Sequence, residues 1–242
     1  MNITTYSSYK NINSNDLKDK TVVCIDVFCT CSTLICAFSN GLKRALIVDD
    51  PVEAPTMKYV LNSDRILMGG ANRFKSIVGL DVSDSILEYS EETVKGKELI
   101  YSNENFAPAL RMCTDVHALY LGAIVNSYAV AKKILESKND VALVCCGDNG
   151  KFTLEDGLAA GAIINDIVML DKTTTLSEYS FVIDAIYKLY QSDLIGVLKK
   201  SKAYNELVAL GLYDDISLAL DKDKYDFVPT FYDNWITVLK DT

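Results

Sequence analysis

Imidazole is nearly absent from this chain: His117 is the single histidine in 242 residues. A zinc site would have to rest on thiols, yet Cys29-Thr30-Cys31 lacks the two-residue gap of a zinc knuckle and no second pair stands at matching spacing. Basic charge is also short. Lys and Arg number 24 against 33 Asp and Glu, a net charge of -9, and no basic block interrupts that balance. This argues against a nucleic-acid surface. An acidic chain binds a small anion only through local donors or a bound cation. No apolar run reaches the roughly 18–20 residues of a membrane span. The first residues, Met1 to Ser7, hold no basic segment followed by an apolar core, so no secretory signal is expected. Seven cysteines, an odd number, then point to reduced thiols in a cytoplasmic protein, with core filling as their main work.

Apolar side chains are plentiful. They make up 49% of residues against 24% charged, enough for a sizeable core with only four prolines to interrupt it. The run Thr21-Val-Val-Cys-Ile25 reads as a strand buried on both faces, and one acid, Asp26, interrupts it near its end. Small hydroxyl and thiol residues follow, then helical spacing over about 32–41, closed by Asn40-Gly41. Buried strands recur at 44–48, 66–68, 98–102, 117–121 and 141–146, and helical segments lie between most of them. Residues 71–89 show no period and read as a long loop, while 154–168 reads as a helix with Thr153 as its cap. This alternation predicts an α/β fold of three layers, α/β/α, around a mostly parallel sheet. Residues 1–20 suggest an edge strand or arm, 176–220 two or three helices, and 225–230 an extended tail. With no linker and no repeat, one domain over 1–242 is the simplest reading.

In parallel sheets, ligands sit at the carboxyl ends of the strands. Three such ends carry polar clusters: Asp26 with Ser32 and Thr33, Ser102 to Asn105, and Asp148-Asn149 with Glu155-Asp156. Carboxylates there suit a hard divalent cation such as magnesium, and helix starts at Ser32, Asn105 and Thr153 offer N–H groups to phosphate oxygens. Arg73 and Lys75 in the long loop stand within reach of an anion. Ordinary structural roles compete: Thr153 and Asp156 match a capping box, and Asn103 and Asn105 are common turn residues.

The order of landmarks resembles the 2-phosphosulfolactate phosphatase family. Val23-Cys-Ile-Asp26-Val, Gly69-Gly70, Gly79-Leu-Asp81-Val-Ser83-Asp-Ser85 with Glu88-Tyr89, Gly147 to Gly150, Phe152-Thr-Leu-Glu155-Asp156 and Val228-Pro229 carry the likeness along nearly the whole chain. The resemblance implies a magnesium-dependent cytosolic phosphomonoesterase of coenzyme M biosynthesis, dimeric, hydrolysing 2-phosphosulfolactate to sulfolactate and phosphate. Mapped onto this chain, Asp26 and Glu155 would serve catalysis and Asp26 and Asp148 the magnesium. Ser32, Asn103, Asn105 and Arg73 would hold the anionic phosphomonoester. The chain also departs from the family: Cys29 replaces an arginine, Ala71-Asn72 a glutamate and an arginine, and Asn103 to Pro108 a glycine turn with an arginine. These replacements keep open a second reading, a homologue that binds a small anion or a protein partner without turnover.

Overall fold

The computed structural model describes residues 1–72, 74–113 and 115–239. Its centre is β2 (Thr21–Ile25), every residue of which is buried, as a β-branched run flanked on both faces requires. It pairs in parallel with β7 (Ala118–Gly122) on one side and β8 (Val141–Cys145) on the other, so that Val23 lies between Tyr120 and Leu143. Beyond β8 come β1 (Asn2–Tyr6) and β9 (Thr175–Leu176), also parallel. A second parallel block contains β3 (Arg44–Val48), β4 (Ile66–Asn72) and β6 (Glu98–Ser102), with the two-residue β5 (Lys75–Ser76) at its rim. The hairpin β10 (Thr230–Tyr232) and β11 (Trp235–Thr237) bridges the blocks through Thr230–Tyr120 and Ile236–Ala45. All three pairings are antiparallel, so the blocks run in opposite senses.

Helices cover both faces of this mixed, mostly parallel sheet, giving the α/β/α layering. On one face lie α1 (Thr30–Ser39) and α4 (Phe106–Met112), packed against Val22 and Cys24 of β2 and also Leu99 and Tyr101 of β6. Residues 30–38 of α1 are all buried, since the helix packs against β7 and also against the later helix Tyr213–Ala219 and the turn at 86–88. The other face carries α2 (Glu53–Leu61) on the smaller block, and α5 (Ser127–Ser137), α6 (Leu154–Leu170) and α7 (Glu178–Tyr190) on the larger. The short α3 (Glu91–Val94) precedes β6, and α8 (Leu194–Leu198), α9 (Lys202–Ala209) and α10 (Tyr213–Ala219) complete the chain before the hairpin. No described helix is long and apolar enough to cross a membrane.

Three expectations change. The N-terminal strand lies inside the sheet between β8 and β9, because Ile3 of β1 is fully buried and both its edges are paired. Four helices, not two or three, occupy 178–219, since Gln191 to Asp193 and the Gly211 turn break the pattern. The expected extended tail supplies the start of a hairpin.

Close packing of α6 on α7 sets a testable limit. A methyl added at Gly161 would stand 2.5 Å from Tyr187 Cβ and 2.8 Å from the Ile183 carbonyl oxygen, both closer than carbon can approach. Gly161→Ala is expected to cost about 1–3 kcal/mol of overpacking, read as a lower midpoint in urea unfolding at unchanged m-value.

Candidate active site between the two strand blocks

Where β2 ends, the apolar run gives way to Asp26, and α1 starts at Thr30 with its first N–H groups turned toward the strand end. Cys31 N donates to the Asp26 carbonyl at 2.8 Å, and the Thr30 hydroxyl bonds the Asp26 carboxylate. Asn103, one residue past β6, donates from Nδ2 to Thr30 Oγ1 at 2.7 Å. Its Oδ1 accepts from Asn105 N and Phe106 N, both at 2.8 Å, so Asn103 and not Asn105 supplies the cap of α4. Asn105 instead accepts from Asn149 N at 3.2 Å, in the turn after β8. That turn closes through paired Asp148 and Lys151 backbone bonds of 3.0 Å. Gly147 makes it possible, with φ of +68° and the Lys151 carbonyl oxygen only 2.3 Å from where a Cβ would stand.

Asp156, in the first turn of α6, does not form the capping box expected of it. Its two oxygens accept from Val27 N at 2.9 Å and Gly147 N at 3.0 Å, which ties the loops after β2 and β8 together. Glu155 beside it accepts from Ser201 Oγ at 2.6 Å, and Ser201 also caps α9. The three polar clusters thus meet, although the blocks run in opposite senses. The ends of β2 and β8 share one edge of their block, and the segment after β6 in the opposed block reaches them through Asn103 on Thr30 and Asn105 on Asn149.

They surround a cavity of about 630 Å³. Asp26, Asp84, Glu155 and Asp156 form its acidic floor, all buried. Lys151, Lys200 and Lys202 stand exposed in its wall, Lys202 paired with Asp148 at 2.7 Å. Burial raises the Asp26 carboxyl well above its usual range, and the Asp156 charge raises it further while Thr30 opposes. Burial, with Asp156 adding, lifts Glu155 to about 7. Burial lifts Asp84 to about 7 and Asp156 to about 6, the latter held back by its two amide donors. Groups shifted this far, gathered in one cleft, mark a functional site. Asp26 has no ammonium or guanidinium partner among the described residues.

A model of the family described as 2-phosphosulpholactate phosphatase matches residues 6–234. The chain belongs to that family. It is 36% identical over 231 residues to a protein of Caldanaerobacter subterraneus subsp. tengcongensis, covering 95% of each chain. It is 33% identical over 233 residues to one of Clostridium novyi, covering 96% of this chain and 97% of that one. Both relatives carry the name probable 2-phosphosulfolactate phosphatase.

Of the residues singled out from the sequence, Asp26, Asn103, Asn105, Asp148 and Glu155 line the cavity of this family member. Ser32 does not. The helix begins at Thr30, two residues earlier than its pattern suggested, and this turns Ser32 into the core with an Oγ that has no hydrogen-bond partner. Arg73 lies outside the described residues. At the positions where family arginines were expected, Cys29 is buried, its thiol pKa raised by desolvation, and no arginine is among the described wall residues. Asp84 and the three lysines were not anticipated. Asp84 sits in a stretch without period, and Lys200 and Lys202 belong to a wall segment more than forty residues beyond Asp156, so no local pattern announced them.

Proposed function

We propose that this cavity hydrolyses a small phosphate monoester of the 2-phosphosulfolactate type, with magnesium as its cation. The observation that carries the reading is the buried Asp26 carboxyl group, without a cationic partner among the described residues, at the floor of a cleft whose rim bears three lysines. Among the described residues no group of three or more His, Cys, Asp or Glu side chains is arranged to hold a metal ion. Magnesium needs fewer: it binds through one or two carboxylates and keeps several waters. Asp26 fits that role, because it has no cationic partner among the described residues and a buried carboxylate in that position gains most from one. Asp148, which lines the same cavity, would join it on exchanging its present partners, Lys202 among them. Bound there, the cation would neutralise phosphate charge and polarise the phosphoryl oxygens.

The rest falls to the chain itself. Lys151, Lys200 and Lys202 draw a multiply charged anion to the mouth, from positions other than those where the resemblance led one to expect arginines. The amino end of the 17-residue α6 opens on the cavity through Thr153 and Leu154, and its dipole favours the phosphoryl group. Asn103 and Thr30 keep the Asp26 carboxylate in one orientation. Glu155, raised to about 7, is poised to take a proton from the attacking water near neutral pH.

The test is release of inorganic phosphate from 2-phosphosulfolactate by purified protein with magnesium, abolished by EDTA. Absence of magnesium-dependent turnover over a broad panel of phosphomonoesters overturns the enzyme reading. Saturable binding of phosphate without turnover would support the alternative, for which the lack of arginine in the described wall speaks. If the lysines replace arginines, Lys200→Ala with Lys202→Ala should raise KM about tenfold and change kcat less than about threefold, as expected when binding is lost equally from ground and transition states. Steady-state kinetics at two ionic strengths checks this, since exposed charges are screened by salt.

A further inference from the structure

The loop 80–89 is held with unusual redundancy around one residue whose side chain, among the described residues, fixes no neighbour. Glu88 accepts from Ser83 N at 2.6 Å and from Ser83 Oγ at 2.8 Å. Tyr89 Oη donates to the Ser83 carbonyl at 2.7 Å. From α10, Asp215 accepts from Ser85 Oγ at 2.8 Å and Ile86 N at 2.6 Å. Thr33 Oγ1, from α1, donates to the Asp84 carbonyl at 2.8 Å. Each acid here but one fixes a neighbour. The exception is Asp84, whose carboxyl group bonds only its own backbone N–H among the described residues, is buried, and lines the same cavity as Asp26 and Glu155.

Burying a carboxyl group without a structural partner is costly, and the loop would keep its form without it. Such a group, locked in place by surrounding bonds and open to a cavity, is built as a reacting group is built. Glu155 differs, because its carboxylate is the acceptor that latches Ser201 and the start of α9. Among the described residues the titratable groups facing Asp84 are Asp26, Glu88, Tyr89, Tyr101 and Asp215, with the Cys29 thiol, and no ammonium or guanidinium stands with them. Asp84 therefore has a reason to keep its proton until something takes it.

We propose that Asp84 is the acid that protonates the departing oxygen of a phosphate ester bound in this cavity. The assignment rests on the phosphatase reading. In the step, the ester P–O bond breaks and its electron pair stays on the ester oxygen, which takes the Asp84 proton and leaves as an alcohol. The water oxygen forms the new P–O bond, and its proton goes to the Glu155 carboxylate. Solvent then returns a proton to Asp84 and removes one from Glu155, so water and ester give alcohol and phosphate.

The experiment compares wild type with Asp84→Asn over a series of phosphate esters running from 2-phosphohydroxy acids and other alkyl esters to nitrophenyl phosphate. An alkoxide needs the proton and a nitrophenolate does not. The expected result is a loss of kcat of about a hundredfold or more on the alkyl esters and less than about fivefold on nitrophenyl phosphate, so that dependence on leaving-group pKa steepens. The variant should melt no lower than wild type. Equal losses across the series, or none, overturn the assignment, and equal losses with a lowered melting temperature give Asp84 a structural role. If wild type hydrolyses none of the esters, the phosphatase reading falls and this one with it; if wild type is active and the slopes coincide, only Asp84 loses its part.

Discussion

Raising the pH from 5 to 8 without divalent cation should lower the thermal unfolding midpoint by roughly ten degrees or more, and millimolar magnesium at pH 8 should restore most of it. Four buried carboxyl groups share one cavity. Burial holds Asp84 and Glu155 at about 7 and Asp156 at about 6, and holds Asp26 well above its usual range. In the unfolded chain all four ionise near pH 4. Between those limits the unfolded state has released protons that the folded state still keeps. The stability these groups support is therefore complete below about pH 4 and is lost as pH climbs through the folded values near 6 and 7. A shift of two to three pH units in one group corresponds to about 3–4 kcal/mol, and a domain of this length moves by about 2–4 °C per kcal/mol. The direction is opposite to ordinary acid denaturation, which makes it easy to recognise by calorimetry. A midpoint that is flat or rising from pH 5 to 8 would show that the cluster is already neutralised by some other group, and indifference to magnesium at pH 8 would remove the cation from Asp26.

The same cluster shows what a sequence can disclose. Asp26 was visible because one acid at the end of Val22-Val23-Cys24-Ile25 has no place in an apolar strand, and β2, β6 and β8 were visible through their short apolar runs. Helix α6 carried enough length and apolar character to be placed almost to the residue. What stayed hidden depends on pairing across the chain. The hairpin β10–β11 consists of two three-residue strands whose role, joining opposed blocks, exists only when β3 and β7 stand on either side. Likewise β1 is polar enough to read as an edge, yet its position between β8 and β9 is fixed by partners about 140 and 175 residues away. In the site, the Thr-x-x-Asp spacing of Thr153 and Asp156 fits a helix cap as well as a latch, and only the amides of Val27 and Gly147 decide between them. Asp84 offered no cue but its neighbours in Ser83-Asp84-Ser85, whose bonds to Glu88 and Asp215 need the folded loop.

Asp26→Asn should abolish phosphate release by a factor of about a thousand or more and at the same time raise the melting temperature of the cation-free protein at pH 8. The substitution keeps the shape of the side chain and its bond to Thr30, so α1 and the Asn103 contact remain in register. It removes one of the charges that repel each other on the cavity floor, which relieves Glu155 and Asp156 as well as the site itself. A buried carboxylate that no described residue compensates is the kind of feature whose removal stabilises a protein, and a site that needs such a charge to organise a cation and a phosphoryl group loses its rate with it. The two effects have one cause and must appear together. The magnesium-dependent rise in melting temperature seen in wild type should vanish in the variant. Loss of activity with an unchanged response to magnesium would place the cation elsewhere, and a variant that melts lower would mean that the Asp26 carboxylate already has a partner that stabilises it.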